Sequence, residues 1–452
     1  MAIFASASLL FLYFSAVLVT PPDAEAAETG SVTWGERIEV ASGRARRGPW
    51  RMNESEWHFV DDSTVAMNEQ GDAGVAWADH ARLDVFFQVY GQDGQPRFSE
   101  PVNVSRNPDT FSWLPRVVMT SGEPGAVYML WQEIIFSGGT HGGEVFFARS
   151  TDGGKSFRTP LNLSNTIAGA GKGRLSKDIW FNGSLDMARG SDGNLYAAWT
   201  VYEGGLFFSR STDGGKHFSD PVRLAGGKGA LPVRGPSLAV HDDIVRLAWT
   251  VGETQDADIH LAESKDAGRT FGDPQVLFET EGYSEAPKIA MDSTGTLHLV
   301  FAESPAGPLR QYDIRYTHSE PGKGGIADPR QISGRHSKKF QSVNFPYLAL
   351  DDQGNVFVLW EIFPEGGIRP RGLGFTFSRT EKRTFAPPVV VPGTLDPEQG
   401  FNGSQQGLYM KKLAVNRSGE MAIVNSTFKP DASSRIWLIR GRVTGDRRPP
   451  EE

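Results

Sequence analysis

Ser150-Thr151-Asp152-Gly153-Gly154-Lys155-Ser156-Phe157 is the stretch from which the fold can be read. It returns as Ser211-Thr212-Asp213-Gly214-Gly215-Lys216-His217-Phe218, and again as Ser264-Lys265-Asp266-Ala267-Gly268-Arg269-Thr270-Phe271. All three fit Ser-x-Asp-x-Gly-x-x-aromatic. Looser versions run from Gln92-Asp93-Gly94 to Phe98 and from Ser378 to Phe385, where Glu381 sits near the place of the aspartate. The residue types are those of a tight turn. Asp and Ser side chains bond to the backbone of their own turn, Gly tolerates positive φ, and the closing Phe fills apolar space beneath. Asp152, Asp213 and Asp266 are therefore expected to be structural carboxylates, not catalytic ones.

Outward from these turns the chain is periodic. Each turn is preceded by an alternating strand, such as Val145-Phe146-Phe147-Ala148 or Leu206-Phe207-Phe208-Ser209, and followed by a short one, such as Pro160-Leu161-Asn162-Leu163. Before that hairpin comes another, in which a short apolar strand leads through a Gly-, Asp- or Asn-rich turn to a strand usually ending in Trp. It begins at Val65, Val117, Leu185, Leu238, Ile289, Leu348 and Leu413, a mean spacing of about 58 residues. Two hairpins per unit make a four-stranded antiparallel meander. The expected fold is all-β, a single β-propeller over residues 31–443 with seven blades, or six if one unit is a decorated insertion. The last unit lacks an outer strand, and Glu36 to Ser42 resembles the missing piece. Pairing of the two chain ends would close the ring and remove exposed sheet edges. Trp77, Trp131, Trp199, Trp249 and Trp360 recur at one repeat position and are expected in the core.

Composition bounds the function. The formal net charge of −8 provides no basic field for nucleic acid. The absence of Cys excludes disulfides, thiolate metal sites and a cysteine nucleophile. The nine His show no metal-ligand spacing, and there is no phosphate loop, dinucleotide fingerprint or Gly-x-Ser-x-Gly elbow. No metal and no cofactor are expected. Ile3 to Val19 is an apolar run followed by Pro21-Pro22 and the small-x-small pattern Ala24-Glu25-Ala26, so residues 1–26 read as an export signal, although no Lys or Arg precedes Arg37. The alternative is an uncleaved N-terminal anchor. With no second spanning stretch, a soluble exported monomer is expected, periplasmic or secreted, ending in a disordered tail at 444–452.

In a four-stranded meander the turns between strands one and two share a face with those between strands three and four. The opposite face takes the longer loops, and ligands are expected there. Those loops carry Arg44, Arg46, Arg47 and Arg51, then Arg116, Asp178, Arg234, Tyr283 and Lys288 at the entries of later blades. Acids follow the strand-end aromatics at Glu133, Glu203, Glu253, Glu303 and Glu361.

The repeated turn is similar to the aspartate box, and over nearly the whole mature chain the protein resembles the sialidase-like (neuraminidase) superfamily of propellers. That resemblance implies an exo-glycosidase acting on sialic acid or another terminal acidic sugar of a glycan. Arginines would grip the sugar carboxylate bidentately, with Arg116 and Arg234 as candidates and a third from Arg44, Arg46, Arg47 or Arg51. Lys288 stands at an entry slot where a further cation would help. Tyr283, in Gly282-Tyr283-Ser284, looks like the nucleophilic tyrosine, with Glu253 or Glu303 to activate it and Asp178 as acid/base. A neutral nucleophile suits the oxocarbenium-like transition state of an anionic sugar. The chain lacks the family's Arg-Ile-Pro motif, and the nearest sequence is Leu114-Pro115-Arg116-Val117. This departure motivates a second reading, a non-catalytic propeller that binds a glycan or a protein partner.

Overall fold

A computed structural model describes residues 31–48, 57–106, 110–137, 140–165, 184–201, 204–227, 229–280, 282–308, 310–319, 325–334, 342–365, 367, 369–379, 384–395 and 409–444. The expected leader at 1–26 lies outside them, as does the tail beyond Thr444. The chain is all-β, and its strands form seven antiparallel blades in chain order around an axis. Blade 1 is typical: Val60–Met67, Ala73–Asp79, Asp84–Tyr90 and Val102–Asn103 pair in sequence. The innermost strands of blades 2 to 7 are Phe111–Met119, Leu185–Arg189, Val233–His241, Tyr283–Met291, Ser342–Leu350 and Leu413–Val415. Each touches the next, and the seventh touches the first, so the ring is closed.

Blade 7 takes its outer strand from the other end of the chain. Ser433–Thr444 pairs with Ile38–Gly43, from Leu438 opposite Ile38 to Ser434 opposite Gly43. Ser31–Trp34 extends the same edge, from Thr444 opposite Ser31 to Gly441 opposite Trp34. The expected closure by the N-terminal segment is thus present. Apolar side chains fill the gaps between neighbouring blades. One such layer joins Val40, Val60 and Trp77 to Ala422, Val424 and Ile436 across the closure. The recurring Trp131, Trp199, Trp249 and Trp360 are fully buried, and each contributes about 2–3 kcal/mol of apolar burial.

The three near-copy turns have one bonding scheme. The hydroxyl of Ser150, Ser211 or Ser264 donates to the aspartate two residues on, at 2.6, 2.9 and 2.8 Å. The same oxygen accepts the backbone N–H of Gly154, Gly215 or Gly268 at 2.9, 2.9 and 2.8 Å. The aspartate in turn accepts the N–H of Ser156, His217 or Thr270 at 3.0, 3.0 and 2.9 Å. The turns also latch blade to blade. The closing aromatics Phe157, Phe218 and Phe271 meet Phe87, Phe147 and Phe208 of the preceding blade edge-on, at centroid distances of 5.7, 4.8 and 4.8 Å. Gly215 requires its lack of a side chain twice over, with φ at +80° and the space for a Cβ taken by the Phe147 ring at 2.6 Å. The first and third of these turns donate backbone bonds to the strand-one/strand-two turns, Gly153 to Gly125 and Ala267 to Asp243. All therefore lie on one face, hereafter the turn face.

Five inner strands share a β-bulge at one repeat position. The ladder slips between Asp61 and Thr64, around Leu114, between Arg234 and Ser237, between Glu285 and Lys288, and between Asn344 and Tyr347. Asp62, Leu114, Gly235, Ala286 and Phe345 take φ between +50° and +63° there. An extra residue re-aims the side chains beyond it. The bulge therefore divides each of these five inner strands into an entry slot on the loop face and a later slot that lines the axis.

Candidate functional site

The entry slot before the bulge holds Asp61 in blade 1, Trp113 in blade 2, Arg234 in blade 4, Glu285 in blade 5 and Asn344 in blade 6. Because neighbouring blades present this slot side by side, the last three meet. Arg234 Nη2 lies 3.4 Å from Glu285 Oε2, and Asn344 donates to Glu285 Oε1 at 2.8 Å. Tyr283, two residues before Glu285 on the same strand, points the same way because side chains on a strand alternate. Its hydroxyl donates to Glu285 Oε2 at 3.2 Å and accepts a hydrogen bond from Arg234. Arg234 also donates to the Gly252 carbonyl, and its guanidinium carbon sits 5.4 Å from the Tyr283 ring centre. Tyr409, at the entry of blade 7, lies within electrostatic reach of Arg234 and packs edge-on against Phe345 at 5.0 Å.

The electrostatics follow from burial and charge. The side chains of Arg234 and Glu285 are only 13% and 10% exposed. Desolvation works against the guanidinium, but Tyr409, Glu285, Tyr283 and Glu253 more than reverse it and hold Arg234 fully charged. The Tyr283 phenol is pushed well above its ordinary value by burial and by Glu285, with Arg234 opposing. Tyr409 is raised by burial and Glu285 as well. Glu253 is partly buried and raised by desolvation, with Arg234 pulling it down. The centre thus holds a guanidinium kept charged by its neighbours, Glu285 against it, and a phenol kept protonated between the two.

The structure brings together only some of the residues expected to share a site. Arg234 and Tyr283 are in contact, and Glu253 lies within electrostatic reach of Arg234. Arg116 and Lys288 do not belong to this centre. Both follow the bulge, which turns them to the axis. Arg116 donates to the carbonyls of Pro115 and Tyr409 at 3.2 and 2.7 Å, and the Lys288 ammonium reaches the Tyr409 carbonyl at 3.4 Å. Glu303 is held by Arg315 at 2.6 Å. Asp178 lies outside the described residues, as does the side chain of Arg47. The carboxylate beside the tyrosine is Glu285, which sequence reasoning passed over. The signal for it was present: Arg234-Gly235-Pro236, Glu285-Ala286-Pro287 and Asn344-Phe345-Pro346 place their polar residues two before a recurring proline. Among the described residues no group of three or more acidic or His side chains is placed to hold a metal ion.

No family model and no curated protein matches this chain. Solved structures do. A PL25 ulvan lyase superposes with a TM-score of 0.56 at 12% identity, covering 89% of this chain and 96% of its own. The polysaccharide lyase Uly1 gives 0.52 at 10% identity, over 91% and 99%. A protein of unknown function from Dyadobacter fermentans DSM 18053 gives 0.50 at 15% identity, over 76% and 99%. Identities this low show a shared fold.

Proposed function

We propose that the protein is a carbohydrate-active propeller that takes an acidic sugar on its loop face, with Tyr283 as the reacting phenol and Glu285 as the acceptor of its proton. The observation that carries this reading is the Tyr283 hydroxyl held between the Arg234 guanidinium and the Glu285 carboxylate. The finer form of the proposal is an exo-glycosidase of sialidase type. As the phenol attacks the anomeric carbon, its proton passes to Glu285. That transfer neutralises the carboxylate that had compensated Arg234, so the guanidinium is freed to pair with the sugar carboxylate. Water then attacks the anomeric carbon of the glycosyl-tyrosine, giving its proton to the acid/base carboxylate while Glu285 returns its proton to the departing phenol oxygen. Glu253, raised by burial at the rim, or Asp178 would protonate the leaving group. The three repeated turns add to this reading through their likeness to aspartate boxes. Export is part of it, with a mature chain beginning at Ala27 and acting as a monomer.

Polysaccharide lyase folds cover about nine-tenths of the chain, and one such ulvan lyase is described with a GlcA(1-4)Rha3S chain bound. That supports an acidic glycan as the ligand class. Elimination from a uronate is the competing reaction, but Tyr283 is hydrogen-bonded to Glu285, which can take its proton as it attacks, and Arg234 donates to the same oxygen. Hydrolysis through the Tyr-Glu pair is therefore favoured. Binding without turnover is the second reading, favoured because Arg234 is already engaged by Gly252, Tyr283 and Glu285.

The test is a panel of fluorogenic sialosides and other acidic glycosides, run beside uronate polysaccharides monitored for the ultraviolet absorbance of an unsaturated product. Release of the fluorophore that Tyr283→Phe abolishes supports the hydrolase. A growing absorbance on uronates would replace it with a lyase. Retention of a glycan with neither product would assign the binder, and no turnover or retention at all would overturn the proposal.

A further inference from the structure

The bulge that sends Arg234 and Glu285 to the loop face sends the next slots down the axis, where a second site lies. A cavity of about 250 Å³ opens between the inner strands. Ala188, Val240 and Met291, late in their strands and half-buried, form its mouth, while Ser237, Lys288 and Tyr347 are buried at its floor. Inner strands run from the loop face to the turn face, so the mouth is on the turn face, away from the Tyr283 centre.

The charge around this cavity is unbalanced. Three cations converge, Arg116 from blade 2, Lys288 from blade 5 and Lys411 from the entry to blade 7. The carboxylate nearest them is Asp186, which Lys411 engages at 2.8 Å and which also accepts the Leu238 N–H at 2.8 Å. Asp62 faces Arg116 from blade 1. Tyr347 and Lys412 are both engaged with the buried carboxylate of Glu361. Lys288, only 6% exposed, forms no ion pair among the described residues, and its ammonium has the Tyr409 carbonyl as its hydrogen-bond partner. Burying an ammonium without a carboxylate in direct contact is costly, and here a cavity adjoins it. Ser237 accepts the Ile289 N–H at 3.1 Å, which leaves its own hydroxyl proton to donate.

We propose that this turn-face cavity binds a small oxyanion of the sulfate class, held by the Lys288 and Lys411 ammoniums and the Ser237 hydroxyl. Lys288, Lys411 and Ser237 all line a volume that admits a tetrahedral anion, and the anion supplies the charge that the inner strands omit. Burial and the neighbouring Arg116 push Lys288 down to about 7, with Asp186 opposing. An empty cavity therefore favours the neutral amine above that pH, and a bound anion restores the ammonium. Affinity rises as pH falls toward 7 and weakens by up to about 10-fold per unit above it. This inference is independent of the chemistry proposed for the loop face.

Isothermal titration with sulfate, which keeps its charge throughout, at pH 6 and pH 9 tests it. Saturable binding at pH 6 is expected, weaker by about 100-fold at pH 9 and lost in Lys288→Met, whose near-ultraviolet circular dichroism checks the fold. Replacing a buried charge by an apolar chain of similar length is often neutral or stabilising. Should that variant fail to fold, Lys411→Gln on the half-exposed wall is expected to weaken binding about 10-fold, the size of one charge-assisted contact. Arg234→Ala should bind sulfate as the wild type does. No saturable heat at pH 6, equal binding by Lys288→Met, unchanged binding by Lys411→Gln, or loss in Arg234→Ala would each overturn the assignment.

Discussion

The turn face and the loop face are built from the same repeat, yet only one of them repeats chemically. On the turn face, Ser150, Ser211 and Ser264 make the same bonds to the same kinds of partner within 0.3 Å. On the loop face, the equivalent slot before the bulge holds Asp61, Trp113, Arg234, Glu285 and Asn344, five different residues in five blades. A residue that every blade needs for folding has no reason to vary from blade to blade. A residue that serves one ligand at one point on the axis has no reason to recur. Uniform copies therefore mark the scaffold, and the loss of uniformity at a fixed slot marks the chemistry.

The largest perturbation spares both faces and opens the ring. Deleting residues 31–43 removes the strand that pairs with Ser434 to Leu438 and exposes the layer containing Val60, Trp77 and Ile436. Loss of the buried side chains and of the ladder should cost about 5 kcal/mol, read as a lower midpoint in urea. If the faces depend on a common closed ring, turnover and stability should fall together. An unchanged midpoint would mean that closure does not hold the scaffold.

Tyr283→Phe should then separate the faces. It deletes one hydroxyl that donates to Glu285 and accepts from Arg234, leaving the ring packed against Tyr312. On the acidic sugar that the wild type turns over, the rate should fall about 10²–10⁴-fold, with the melting temperature nearly unchanged. Glu285→Gln should act in the same direction. It keeps the shape but cannot take the proton. Turnover within twofold of wild type in both would remove the Tyr-Glu pair from the mechanism and break the comparison at its chemical end.

Gly215→Ala is the counterpart on the turn face. The added Cβ would meet the Phe147 ring at 2.6 Å on a backbone already at positive φ. Ser211→Ala instead leaves the buried Gly215 N–H without its acceptor. Each should cost about 1–3 kcal/mol in a urea titration, with turnover per folded molecule unchanged. A change in turnover with no loss of stability would show that the turn face takes part in the chemistry.

This asymmetry explains which parts could be read from the chain beforehand. Seven spaced hairpins, the terminal strand and the turn aspartates are local patterns, and each is decided within a few residues of sequence. Arg234 and Tyr283 were legible as polar residues at blade entries. Glu285 was not, because the search for a partner carboxylate followed the acids after the strand-end aromatics, and Glu303 and Glu361 prove to be committed to Arg315 and Lys412. Arg116 and Lys288 were placed with Arg234 because all three stand at blade entries, yet Arg234 lies two residues before Pro236 while the others directly follow Pro115 and Pro287. The bulge between those positions changes the direction of a side chain without leaving a residue type that announces it. Period-two reasoning fails across such a slip.

The smallest effect concerns the same turns in acid. Slight burial raises the Asp152 carboxyl, but hydrogen bonds from Ser150 and Ser156 hold it down to about 2. Asp266 is held below the usual carboxylate range by the Thr270 N–H and hydroxyl and by Ser264. In Asp213, slight burial opposes the His217 and Ser211 bonds that lower it. A carboxyl depressed in the folded state contributes stability that is present above its unfolded value, about 3.9, and lost as pH falls through the folded value. The turns should therefore weaken between about pH 4 and pH 2. Their exposure to solvent limits each contribution. Asp152→Asn cannot titrate, so the difference in melting temperature between it and the wild type should shrink steadily across that window. A constant difference from pH 6 to pH 2 would mean that the aspartate acts by shape alone, and that the charge on the turn face is as dispensable as its uniformity is not.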